Sequence, residues 1–313
     1  MSDSASLPVS PRAVRLTVWT VALAAAGYLA LLLWAGWREV ATGLVRVGLP
    51  VMLGILALSL ANYLLRFVRW QHYLAALGHR VDWRPSARIY FAGFALTASP
   101  GKVGELLRGA LLLPRGVPLV ESSAVFFSER AADLLAILLL SSAVFWLYPH
   151  GAPLVAGSLV CVAAAILAVQ RPGWIHAVDA WAQRKGGRVA ALSRLCALVL
   201  NFRTCFRWTT LSWAMVLGVL AWGAEALAFH WLLAALGYPL PLPLSVFVYS
   251  FSMLVGGLSF LPGGLGSSEI VMVALLVGNG LPESAAVTAT ILCRLATLWF
   301  AVAIGVVCLA RSR

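Results

Sequence analysis

"FLPGGLGSSEIVMVALLVG" (Phe260–Gly278) interrupts an apolar segment with a Pro-Gly-Gly break and then a carboxylate, Glu269. A second stretch, "ASPGKVGELLRGALLLP" (Ala98–Pro114), has the same Pro-Gly-x-x-Gly core, again followed by a glutamate, Glu105. One such break reads as a loop between domains. Two that share a pattern, both inside lipid-soluble sequence, call for a common structural reason.

The chain has 313 residues, of which 62% are hydrophobic and 11% charged. A soluble domain carries about 25% charged residues, and several apolar runs here reach the ~20 residues that cross a hydrocarbon core. The composition is that of an all-α polytopic membrane protein, a single membrane domain over 1–313, with no room for a large soluble domain. The first apolar run follows Arg12 and Arg15 and ends near Trp37. It lacks a small-residue cleavage site and is long for a signal peptide, so it reads as a membrane helix. The net charge of +12 fits basic residues flanking membrane helices on the cytoplasmic side, and nucleic acid is not an expected partner. Cys161, Cys196, Cys205, Cys293 and Cys308 have no paired spacing, which argues against a disulfide framework or a metal site. No cofactor motif is present.

The hydropathy pattern predicts about six spanning helices, near 14–37, 49–76, 118–148, 152–170, 208–236 and 283–310. Two segments remain, 85–113 and 239–280, each with a Pro-Gly motif in its middle. Two full crossings need about 40 residues. The first segment is too short for that and the second barely long enough, so both are expected to be re-entrant helical hairpins. With a cytoplasmic N-terminus, the inside segments hold 17 Arg and Lys residues, Arg66 and Arg69 among them, against Arg38 and Arg46 outside. This bias places both termini in the cytoplasm. The basic stretch 171–207 mixes Trp and Leu with Arg and is expected to lie along the inner membrane surface.

The two halves resemble each other. "LAALG" occurs at 74–78 and 233–237, "PGKVG" at 100–104 matches "PGGLG" at 262–266, and Glu105–Arg130 and Glu269–Arg294 share a spacing of 25. The offsets between halves are 159, 162 and 164, in order. Repeat one then covers 49–148 and repeat two 208–310, joined by 149–207. Their opposite orientation makes an inverted-topology repeat, an arrangement in which binding sites form near midplane at broken helices.

Arg130 and Arg294 each lie about 18 Å along their helices, near the bilayer centre, where a cation costs at least about 2.5 kcal/mol. An internal salt bridge is one explanation. A bound anion is the other, and a planar guanidinium suits phosphate. Asp133, one turn from Arg130, has Thr297 as its counterpart, so Arg294 is expected to be the less neutralised arginine. Glu129 and Asp133 are expected to depend on Arg130 for charge compensation. Glu105 and Glu269 can serve as acids at a helix start or as proton carriers. Glu225, mid-helix, joins Glu105, Glu129, Asp133 and Glu269 as a candidate for ion coupling. Lys102 and Arg108 are candidate ligands, with placement at cytoplasmic headgroup level as the plainer alternative. Gly263 and Gly264 permit a tight turn whose N–H groups could hold an oxyanion. His230 reads as a satisfied polar residue.

"SPGKVGELLR" (Ser99–Arg108), "ERAADL" (Glu129–Leu134), "LPGGLGSSE" (Leu261–Glu269) and "CRLAT" (Cys293–Thr297), in this order, resemble the flippase-like membrane domain of lysylphosphatidylglycerol synthases. The resemblance implies lipid translocation in a bacterial inner membrane. The full synthases continue into a soluble aminoacyltransferase domain, whereas this sequence ends at Arg313, so lysyl transfer is not carried over. The leading expectation is a non-enzymatic transporter or flippase for an anionic, phosphate-containing lipid, driven by protons, ions or the lipid gradient. The alternatives are a membrane-embedded enzyme on a lipid-linked substrate and a scaffold for a lipid-synthesis complex. A homo-oligomer and contacts with lipid-biosynthesis enzymes stand as open expectations for partners.

Overall fold

The protein is described here from a computed structural model, which covers residues 37–97, 107–142, 172–185 and 191–310, with isolated positions at 27 and between 153 and 170. The expected spans at 14–37 and 152–170 fall almost entirely outside the described residues, as does the Pro100–Gly101 turn. Among the described residues every regular element is helical: α1 (Trp37–Val47), α2 (Leu49–Ala76), α3 (Trp83–Ala92), α4 (Leu107–Leu112), α5 (Leu119–Ser141), α6 (Pro172–Lys185), α7 (Ala191–Cys205), α8 (Trp208–Ala235), α9 (Leu242–Leu258), α10 (Ser267–Gly278), α11 (Glu283–Arg294) and α12 (Phe300–Ala310).

Among the described residues three stretches are long and apolar enough to cross a membrane: Leu49–Ala76, Trp208–Ala235 and Glu283–Ala310. The third is α11 and α12 joined through a π-helical turn, Leu295–Trp299. α5 has 23 residues, about 35 Å at 1.5 Å per residue, but carries Glu121, Glu129, Arg130 and Asp133. Glu129 and Asp133 are buried by neighbours, whereas Glu121 and Arg130 stay partly accessible.

The two broken segments are short helices in sequence. α9 has 17 residues and α10 has 12, each below the ~20 of a crossing. They pack on each other and are joined through a turn at Pro262–Gly264. Gly263 and Gly264 have φ of 60° and 69°. A Cβ on Gly264 would lie 3.0 Å from the Gly256 backbone, so the turn requires glycine for both conformation and space. In the first half, α3 runs into a 3₁₀ turn at Gly93–Leu96, and α4 begins beyond residues 98–106, which are not described.

Equivalent positions in the two halves have equivalent geometry. Both "LAALG" motifs end a helix on a left-handed glycine, Gly78 at φ 89° and Gly237 at 87°. His79 N–H then donates to Leu74 C=O at 2.9 Å, and Tyr238 N–H to Leu233 C=O at 3.0 Å. This is a Schellman stop in both places. A further match follows each hairpin. Gly116-Val117-Pro118 and Gly280-Leu281-Pro282 both place glycine at positive φ, bury the middle residue and use proline to open the next helix.

α2 and α8 pack along their lengths and run antiparallel. Gly54, near the start of α2, faces Trp231 near the end of α8, and Gly218, near the start of α8, faces Arg69 near the end of α2. Packing of the remaining elements is reciprocal: α5 of the first half packs on α9 of the second, and α12 of the second packs on α3 and Gly93–Leu96 of the first. The tightest of these contacts is at Gly305, where a Cβ would lie 2.1 Å from the Ala95 nitrogen and 2.6 Å from the Phe94 carbonyl carbon. Gly305→Ala is therefore expected to cost about 1–3 kcal/mol through overpacking, read as a lower thermal midpoint in detergent. Gly54→Ala, where the added methyl meets the Trp231 ring at an ordinary 3.5 Å, should leave that midpoint unchanged.

Candidate functional site

A cavity of about 280 Å³ opens where the halves meet. α2 supplies Tyr63 and Arg66, α5 supplies Phe126, Phe127, Arg130 and Asp133, and α8 supplies Trp222 and Glu225. Tyr249 and Met253 of α9, Gly263 and Gly264 of the turn, and Arg294 and Thr297 complete the polar wall. The rim is apolar and exposed, with Phe127, Leu258, Phe260 and Leu261.

Asp133 organises the charged side. Its Oδ1 accepts from Arg69 Nη2 at 2.5 Å and from Trp222 Nε1 at 3.1 Å. Its Oδ2 accepts from Arg66 Nη2 at 3.2 Å and lies 3.1 Å from Arg130 Nη2. Three guanidiniums thus share one carboxylate. Arg66 also stacks near the Trp222 and Phe94 rings, 5.4 and 6.0 Å from their centroids. The Arg130 guanidinium lies 5.6 Å from the Phe126 centroid, and with its side chain 17% accessible it is the most open of the three. One turn earlier Glu129 accepts from Arg108 Nη1 at 3.1 Å. Arg108 is held between the Trp70 and Tyr90 rings, 5.1 and 4.8 Å from their centroids.

On the opposite side Arg294 Nε donates to Glu269 Oε1 at 2.7 Å, and Nη2 donates to the Gly263 carbonyl at 2.7 Å. The other Glu269 oxygen accepts from Gly266 N–H at 2.7 Å and so caps α10. Glu225 accepts from the Tyr249 hydroxyl at 2.5 Å. His230 meets the Ser245 hydroxyl at 3.1 Å, a satisfied polar residue as expected.

Several expectations are corrected here. Arg66 and Arg69 are not cytoplasmic flanks: both are buried in the bundle, and their spacing of three puts them on one face of α2 toward Asp133. Arg108 is not open to a headgroup; it is buried and paired with Glu129. Arg294 is not the less neutralised arginine, because Glu269 reaches it across the turn. Glu129 and Asp133 do not depend on Arg130, since Arg108 holds the first and Arg66 and Arg69 hold the second. The N–H groups of Gly264, Leu265 and Gly266 are used within the turn and its cap rather than turned to an oxyanion. Of the candidate residues, Arg130, Asp133, Glu225, Gly263, Gly264 and Arg294 line the cavity, while Arg108, Glu129 and Glu269 stand behind it. Lys102 and Glu105 lie outside the described residues.

Sequence reasoning missed Tyr63, Arg66, Trp222 and Tyr249 in the cavity wall. The repeat could have found two pairs of these positions: the offset of 159 aligns Tyr63 with Trp222 and Arg66 with Glu225. The aligned residues bond across the halves. Tyr63 donates to the Thr297 carbonyl, and Trp222 donates to Asp133, the residue aligned with Thr297.

Residues 18–305 match the family described as the lysylphosphatidylglycerol synthase TM region. The chain belongs to this family. It is 25% identical over 314 residues to a UPF0104 membrane protein of Methanothermobacter thermautotrophicus, covering 89% of this chain and 88% of that protein. A UPF0104 membrane protein of Pyrococcus horikoshii is 30% identical over 103 residues, 33% of this chain and 31% of that one. Family membership and the apolar helices make this a multi-pass membrane protein whose role concerns membrane lipid.

Removing one partner of a buried ion pair costs about 3–5 kcal/mol. Arg69→Ala, at a fully buried guanidinium, is expected to lower accumulation and the thermal midpoint strongly. Arg130→Ala leaves Asp133 two partners and should remain folded and monodisperse by size-exclusion chromatography.

Proposed function

We propose that this protein moves an anionic, phosphate-containing lipid across a bacterial inner membrane, with both termini in the cytoplasm and the two halves acting as inverted repeats. The observation that carries the reading is the cavity itself: Arg66, Arg130 and Arg294, drawn from both halves, face one space with an exposed apolar rim. A headgroup inside such a space meets guanidiniums that match phosphate in geometry, while its tails stay in hydrocarbon. Arg130 is the residue that engages phosphate. It can exchange Asp133 for a phosphate oxygen without leaving that carboxylate unpaired. Glu225 and Glu269 are the carboxylates through which a proton moves with the lipid, because a phosphate entering beside them favours their neutral forms.

Purified protein in liposomes with fluorescent phosphatidylglycerol or polyprenyl phosphate tests this reading. A hydrogen bond to a charged group contributes about 1.5–3 kcal/mol, so Arg130→Ala is expected to slow translocation about tenfold or more. Glu269→Gln should bind lipid but lose the pH dependence of transport. Wild-type rates for Arg130→Ala would place the headgroup elsewhere. Chemical alteration of a lipid without movement would make the protein an enzyme. Orientation is tested by single cysteines: an impermeant reagent added outside should label position 283, exposed two residues beyond the buried Leu281, and miss 187.

A further inference from the structure

Behind the cavity, four fully buried side chains keep polar atoms that have no hydrogen-bond partner among the described residues. They are Arg69 (Nε and Nη1), Tyr73 (Oη), Tyr90 (Oη) and Glu129 (Oε1). They come from three elements: Arg69 and Tyr73 lie one turn apart on α2, Tyr90 on α3 and Glu129 on α5. Arg69 bonds Asp133, one turn from Glu129 on α5, and Arg108 joins Glu129 to the Tyr90 ring, 4.8 Å from its centroid, so the atoms belong to one cluster. Apolar residues close it off: Trp70, Leu74 and Val125 from within the bundle, and Cys205 and Phe206 where α7 ends.

Buried polar atoms left without partners cost about 1–3 kcal/mol each, and folded proteins satisfy nearly all of them. The chemistry of the cluster selects the occupant. Arg69 can only donate, and the tyrosines can donate or accept. A small anion would suit these three. Glu129 decides against it: its open oxygen can only accept and its charge repels an anion. Water both accepts from Arg69 and donates to Glu129, and internal waters typically make about three such bonds.

We propose that buried water bridges Arg69, Tyr73, Tyr90 and Glu129, and that this network holds Arg69 on Asp133 so that Arg130 is released to a ligand. Asp133 is shared by three arginines, so one of them must stay for another to leave. Arg69 is the one with no exposure, at 0% against 17% for the Arg130 side chain. Arg69 is thus a positioning residue. The hydration is independent of transport, whereas the second clause rests on the reading of Arg130 as the headgroup ligand.

X-ray hydroxyl-radical footprinting of the purified protein tests the water directly, because radiolysis of bound water oxidises residues beside it even when bulk solvent cannot reach them. Tyr73 and Tyr90 are expected to be modified several-fold faster than Phe229, which is equally buried but lies in the other apolar cluster. Rates no higher than that of Phe229 would overturn the hydration. A thermal midpoint that drops when gluconate replaces chloride would overturn it in favour of an anion. The Tyr73→Phe, Tyr90→Phe double variant should fold and bind fluorescent phosphatidylglycerol several-fold more weakly. Unchanged binding in the double variant, with weakened binding in Arg130→Ala, would sink the positioning role. Unchanged binding in both would sink the headgroup reading and with it the positioning clause, leaving the footprinting result to decide the water.

Discussion

A carboxylate in the middle of a membrane bundle is tolerable only if it is surrounded by positive charge, and Asp133 has three guanidiniums and an indole N–H. This one residue ties α2, α5 and α8 together. It accounts for two arginines within an otherwise apolar helix. It also leaves the protein with a choice, because three cations share two oxygens. Buried ion pairs contribute little net stability when desolvation is included. Their effect here is geometric: they hold Arg69 without exposure while the Arg130 side chain stays partly open at the cavity.

The two halves repeat a backbone and diverge in charge. Helix stops, hairpin exits and the arginines at 130 and 294 correspond. At other aligned positions the chemistry differs. Arg66 stands opposite Glu225, and Asp133 opposite Thr297. One half therefore clusters cations around a carboxylate on its own last helix, while the other ties its arginine to the carboxylate that caps its hairpin helix. The cavity between them has walls of different polarity. On the proposed reading, a backbone with local two-fold character would serve both membrane faces, and unequal side chains would give a bound headgroup a preferred way to sit.

The glutamate that follows the Pro-Gly-Gly turn illustrates how a single residue serves structure and site together. Its position in the first turn of α10 makes it a cap, and the turn's left-handed glycines bring the Gly263 carbonyl and the carboxylate onto the same guanidinium. Arg294 reads the turn as a formed unit. A change in the hairpin tip therefore reaches the cavity wall through one side chain.

Sequence by itself determined the class and much of the plan. Hydropathy run length settles membrane insertion, because the bilayer imposes about 20 residues per crossing. The Pro262-Gly263 break marks a broken helix, and the glycine that ends each "LAALG" marks a stop, since few other residues accept the left-handed conformation. Buried charge was legible as a list: Arg130, Asp133, Glu225, Glu269 and Arg294 stand out in apolar surroundings. Their partners were not. Arg66 and Arg69 sit near the end of a long apolar helix, where position alone suggests a cytoplasmic flank; only the packing of α2 against α5 and α8 turns them inward. Arg294 and Glu269 are 25 residues apart, and nothing local says that the turn folds back onto the helix. Ion pairing depends on distances between elements far apart in the chain. Only the tertiary structure decides which charges cancel and which face the cavity.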